Sequence, residues 1–198
     1  HNRPARSVAA SWNMALRWLF QARWADGNTP LEPRAEWVLV ANNDVVLRKD
    51  TYRWLVKDGG EFVTAVGTRD EKKIVELIEP DVSKKRPHPD FSCFLIRRSV
   101  WEKVGYFDEN FKIAFVEDLD FHLRMHRAGV RAEALELPFL HYGSQTVNNA
   151  DSTERQRIMN QAEKNREYFK RKYGFAGGSE EYYREFGNAP PPEPDERI

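Results

Sequence analysis

The apolar positions along the chain form two kinds of pattern, one of helical period and one continuous. Val8, Trp12, Leu16 and Leu19 in "SVAASWNMALRWLFQARW" fall at helical spacing and predict a helix over about 7 to 24. In "ADSTERQRIMNQAEKNREYFKRKYG", Ile158, Ala162, Phe169 and Tyr173 share one face of a long helix. Shorter helices are predicted in "RKDTYRWLVKD", stopped by Gly59-Gly60, and in "SVWEKVG", with Ser99 as cap and Gly105 at its end. "VEDLDFHLRMHRAG" reads as about three helical turns closed by Gly129.

The continuous runs read as strands. "EWVLVA" is apolar almost throughout, as in a central strand covered on both faces. "EFVTAVG", "KIVELIEP" and "FSCFLIRR" are further strand candidates, and "VRAEALELPFLHYG" predicts a strand ending near Pro138. Gly27, Pro30 and Pro33 mark "DGNTPLEP" as a loop, and a basic, proline-punctuated loop, "DVSKKRPHPD", covers Lys84 to His88. From about Gly177 the chain turns polar and then proline-rich, which predicts a poorly ordered tail over 176–198 after one domain over 1–175. Helices mixed with strands throughout indicate an α/β or α+β domain with a mixed sheet.

Composition narrows this little. With 198 residues, 40% apolar and 13% aromatic, the chain can build a proper core. Lys plus Arg equals Asp plus Glu at 31 each, so no global field draws nucleic acid. The single cysteine, Cys93, cannot form an internal disulfide, and a reducing, cytoplasmic setting is the natural inference. No apolar run approaches the length of a membrane span.

Four polar features stand out from this frame. "LVANNDVVL" places Asn42, Asn43 and Asp44 at a strand end, where three polar groups exceed what a turn needs. Glu117, Asp118 and Asp120 open a helix, where backbone N–H groups and the helix dipole favour negative charge. Each has a plain structural reading, as an Asx turn and as helix capping. Yet the aromatic loop "FDENFKIAFV" beside Asp118 would wall off a pocket suited to a general base. His141 follows a strand, and the basic loop around Lys84 to His88 is the fourth feature. A carboxylate and an imidazole together suit Mn²⁺ or Mg²⁺ with open positions for a substrate phosphate, whereas zinc would want more nitrogen or sulfur.

"WVLVANNDV", "FSCFLIRRSVWEKVGYFDENF", "FVEDLDFHLRMHRAG" and "LHYGSQT", in that order, resemble the family 2 glycosyltransferases of the GT-A fold, especially the rhamnosyltransferase-like members. The likeness runs from about Ala9 to Tyr173. It implies an α/β fold with a GT-A-like mixed, mostly parallel sheet flanked by helices. It implies an inverting, metal-dependent transfer of a hexosyl or deoxyhexosyl group from a nucleoside-diphosphate sugar to a glycan or lipid-linked acceptor in polysaccharide biosynthesis. Asp44 would bind Mn²⁺ or Mg²⁺, with His141 completing the metal site. Asp118 would be the base for the acceptor hydroxyl, Glu117 would orient the acceptor, and Asp120 would support the turn. Asn42, Asn43 and Asn13 would contact the donor nucleotide-sugar. Asn42 stands where many members carry the motif's first aspartate. The strand and turn that grip the nucleotide base in the family would precede this segment.

A catalytically silent nucleotide-sugar or glycan-binding domain of the same fold is the alternative. A phosphoryl-transfer enzyme is disfavoured, since no Gly-rich or Ser/Thr-Lys phosphate loop follows Asp44. Seven Lys or Arg between Arg155 and Lys172 against two Glu read first as a solvated face, the weaker alternative being peripheral attraction to the inner face of an anionic membrane.

Overall fold

The computed structural model describes residues 7–21, 35–75, 85–86, 88–143 and 145–187. Helix α1 (Val8–Leu16) runs on into a π-helical turn, Arg17–Gln21. Then come β1 (Trp37–Ala41), β2 (Val45–Val46), α2 (Thr51–Asp58), β3 (Phe62–Thr68), α3 (Lys72–Val75) and β4 (Lys85–Arg86). The chain continues through β5 (Cys93–Arg97), α4 (Arg98–Val104), α5 (Glu117–Arg127) and β6 (Ala132–His141). It closes with α6 (Gln145–Asn148), α7 (Ser152–Tyr173) and α8 (Glu180–Arg184). This is an α/β arrangement, a mixed sheet flanked by helices.

The strands follow the order β1-β5-β3-β6-β2, with β4 also on β6. Contrary to the expectation of a mostly parallel sheet, β3 with β6 is the one parallel pair among the described strands, and the other four pairings are antiparallel. The Asp90 carboxylate accepts from the N–H of Gly67, where β3 leaves the sheet, and β5 then runs back against β3.

The alternation of β5 sends Phe94 and Ile96 to one face and Cys93 and Leu95 to the other. The first face packs Phe62, Phe94 and Ile96 against Trp12 and Leu16 of α1 and Phe121 and Met125 of α5. The second packs Val63, Ala65, Leu95, Leu137 and Phe139 against Leu55 of α2. A third cluster, with Phe111, Leu123, Phe169 and Tyr182, sits where α5, α7 and α8 meet.

Several expectations need correcting. "EWVLVA" forms β1 as read, but β1 ends the described strand order instead of lying at its centre. Its residues touch both core layers, Val38 one and Trp37 and Leu39 the other. The apolar run thus reported face coverage, which is independent of lateral position. The first residues of "KIVELIEP" begin the short helix α3, because Asp70 Oδ1 accepts from the Lys72 N–H and turns the chain; residues 76–80 lie outside the described residues.

Helix α4 starts at Arg98, so Ser99 lies inside its first turn and does not cap it. Strand β6 passes through Pro138 to His141, the proline sitting where the register against β3 shifts. The expected tail is folded up to residue 187: Tyr182 is fully buried and its hydroxyl lies 3.0 Å from His122 Nδ1. "NAPPPEPDERI" and residues 22–24 of the first expected helix lie outside the described residues.

Candidate functional site

The carboxyl ends of β1, β3 and β6 meet at one edge of the sheet, the place where open α/β sheets gather polar side chains. After β1, Asn42 donates its N–H to the Ser92 carbonyl at 2.9 Å, and the chain turns through Asn43 and Asp44 into β2. Val45 then pairs with His141, and the Tyr142 N–H donates to the Asp44 carbonyl at 3.0 Å. This register brings Asp44 Oδ1 to 3.4 Å from His141 Nε2. The Asp44 side chain is 13% exposed and that of His141 21%, so both are largely shielded from bulk water. Its other oxygen lies 3.5 Å from the Gln145 N–H. The two residues singled out as metal ligands are therefore neighbours.

Two further residues border this pair. Gly67 fits because a Cβ there would meet Asp90 Oδ2 at 2.8 Å and the His141 Cβ at 3.5 Å. Asp90 is fixed by accepting from Gly67 and Ser92 and by donating its own N–H to Thr64 Oγ1. Arg69, just past β3, brings its guanidinium to 3.3 Å from where a Cβ on Gly143 would stand. It forms no ion pair among the described residues. A carboxylate, an imidazole and a guanidinium thus stand in a row on the ends of β2, β6 and β3. Sequence pattern did not mark Arg69 or Asp90, since an arginine after a strand and an aspartate after a proline read as ordinary loop.

The acidic cluster is built differently. The chain reaches α5 through Ile113, Phe115 and Val116 at φ 62°, 77° and 76°, the left-handed region that β-branched side chains resist. Each such residue costs on the order of 1–3 kcal/mol and persists only when its surroundings fix it. Glu117 follows, 5% exposed, and its Oε2 has no hydrogen-bond partner among the described residues. Burial, and then the adjacent Asp118 charge, raise the Glu117 pKa well above the usual carboxylate range. Asp118 is half-buried, with Oδ1 accepting from the Leu119 N–H at 2.8 Å.

Asp120 differs from both: fully buried, it accepts from Lys172 Nζ and Tyr173 Oη at 2.7 Å and from Arg124 Nε at 2.9 Å. It ties α5 to α7. Asn13 was placed among the donor-binding residues, but it is buried. It donates to the Phe107 carbonyl and to Glu109 Oε1, and accepts from the Phe107 N–H. Both amide hydrogens are spent on that loop, and Asn13 has none left for a nucleotide.

The two halves share an end of the sheet but not a face, which counts against Asp118 as a base working on a donor held at Asp44 and His141. His141 continues the row of Leu137 and Phe139 on the α2 side, whereas α5 packs on the α1 side. Residues 88–91 run between them: Asp90 touches the end of β3, Phe91 packs 6.4 Å from Phe121, and the His88 ring lies 5.8 Å from that of His122. Among the described residues no three His, Cys, Asp or Glu side chains gather as a metal site. No described helix is long and apolar enough to cross a membrane. The chain matches no protein-family model, and no curated protein matches it.

Proposed function

We propose that this protein is an inverting, metal-dependent glycosyltransferase that moves a sugar from a nucleoside-diphosphate sugar to a hydroxyl of a glycan or lipid-linked acceptor. The observation that carries the reading is the meeting of Asp44 and His141, far apart in sequence, at 3.4 Å at the carboxyl end of the sheet. One oxygen and one imidazole donor fit Mn²⁺ or Mg²⁺ bound with open positions, and such an ion neutralises charge on a leaving diphosphate. The unpaired guanidinium of Arg69 beside them suits the same phosphates.

The pair at the start of α5 takes the opposite task. Asp118 accepts the proton of the acceptor hydroxyl as its oxygen bonds to the anomeric carbon. The bond from that carbon to the diphosphate breaks, and its electron pair leaves with the nucleoside diphosphate. Attack opposite the leaving group inverts the configuration. Glu117, kept protonated by burial beside Asp118, orients the acceptor with its O–H and adds no second negative charge.

A screen of nucleotide sugars with and without Mn²⁺, read by diphosphate release and thermal stabilisation, tests the proposal. Metal-dependent release with at least one donor is the expected result. Stabilisation by a donor with no release under any condition would leave a silent binding domain instead.

A further inference from the structure

We propose that Asn165 of α7 is a positioning residue whose carboxamide holds the turn at 112–116 in its left-handed form and so aims Glu117 and Asp118; the inference rests on these two carboxyls being the reactive pair. Asn165 occupies the buried stripe of α7 with Ile158, Ala162 and Phe169, where the helical period calls for an apolar side chain. A buried amide is tolerated there only if its hydrogen bonds are met. They are met by one segment of chain. Its Nδ2 donates to the carbonyls of Lys112 at 2.9 Å, Ala114 at 2.8 Å and Phe115 at 3.2 Å, two hydrogens shared among three acceptors. Its Oδ1 accepts from the Lys112 N–H at 3.2 Å and from Gln161 Nε2 at 3.0 Å.

Those carbonyls converge on one point because Ile113, Phe115 and Val116 are left-handed. The same conformation makes Val116 the residue before α5, with no side-chain cap on the helix. A second tie, from the Val8 N–H to the Ile113 carbonyl at 2.7 Å, holds the turn from the α1 side. Helix α7 also grips α5 on the far side of the pair, through Lys172 and Tyr173 on Asp120. Glu117 and Asp118 are thus held before and after by one rigid helix. A strained turn, over-determined by one buried side chain, directly before a buried carboxyl with one oxygen unmet is where conformational energy serves a site more than a fold.

The test is the carboxyl titration of Glu117, followed by ¹³C NMR in the whole protein, beside turnover of a nucleotide sugar with Mn²⁺. Asn165→Ala is expected to return the Glu117 titration toward the ordinary glutamate range. It should lower kcat by about tenfold or more, with KM for the donor little changed, since small misplacements of reacting groups cost that much. Ile158→Ala, which opens the same helix face without touching the turn, should move neither. Ile113→Gly, free to be left-handed at no cost, should restore part of both effects in the Asn165→Ala background. If Asn165→Ala does not fold, Asn165→Ser is read in the same way. An unchanged Glu117 titration in the folded variant, an equal change in Ile158→Ala, or no recovery with Ile113→Gly would overturn the clamp. Absence of turnover in every protein, wild type included, would count against the transferase reading alone, because the titration still decides the role of Asn165.

Discussion

The strand-end half of the site and the helix-turn half hold their polar groups by opposite means. Asp44 and His141 are presented by ordinary β register, largely shielded from solvent, with the Arg69 guanidinium near them. Glu117 and Asp118 follow three left-handed non-glycine residues, and Glu117 is buried with one oxygen unmet. An unstrained pair suits binding of something that arrives with its own charge. A carboxyl desolvated behind a strained turn suits a proton transfer whose geometry must be fixed beforehand. On the proposed reading, binding falls to the first half and chemistry to the second.

The largest effect that would break this division is at Asp118. Asp118→Asn keeps size and hydrogen bonding but cannot take a proton, so the transfer rate should fall on the order of 10²- to 10⁴-fold. Rates measured under donor saturation check this, and an unchanged rate would move the chemistry elsewhere. Next comes Asp44→Ala. Loss of a metal-touching carboxylate should weaken Mn²⁺ binding by more than the ~10-fold seen for lost supporting partners, and excess Mn²⁺ should recover part of the activity.

Smaller, and specific to the helix-turn half, is a pH effect. Burial first, and then His88 and His126, push the His122 pKa down to about 3. The unfolded chain binds that proton near pH 6.5 and the native state does not, so this contribution is lost as pH falls from about 6.5 toward 3. The loss is at most about 1.4 kcal/mol per pH unit. Glu117, with its pKa raised, works in the opposite sense: its contribution is present at low pH and lost as pH rises. Urea midpoints between pH 7 and 5 should therefore fall less steeply in His122→Gln and more steeply in Glu117→Gln than in wild type. A wild-type curve that neither variant alters would remove both assignments. The smallest effect is expected at Arg69, where Arg69→Ala should weaken diphosphate binding only several-fold because the guanidinium is solvent-exposed; calorimetry with pyrophosphate and Mn²⁺ reads it directly.

What could be read from the sequence follows the same line. Asp44 and His141 each end an apolar run, and a run that ends at a strand terminus puts its next polar residue at the sheet edge. Asp118 was legible for a similar reason, as the first turn of a periodic helix. Strand direction was not, because alternation and apolar runs are the same whichever way a strand is entered.

The clamp was not legible either. Asn165 in a charged helix reads as one more polar surface residue, and its partners lie some fifty residues upstream. Asn13 failed in the reverse direction: an asparagine near the chain's start looked available, while its amide is buried against Phe107. Within the expected tail, the folding of residues 179–187 was hidden because polar composition outweighs one anchor, Tyr182, which closes the third core cluster.

The division between a binding half and a reacting half is tested most directly by calorimetric titration of pyrophosphate in the presence of Mn²⁺, run on wild type, Asp44→Ala and Asp118→Asn. The account predicts that wild type and Asp118→Asn bind alike, within about twofold, while Asp44→Ala binds at least about tenfold more weakly. Binding by Asp44→Ala as tight as wild type, or a loss in Asp118→Asn as large as in Asp44→Ala, would contradict it.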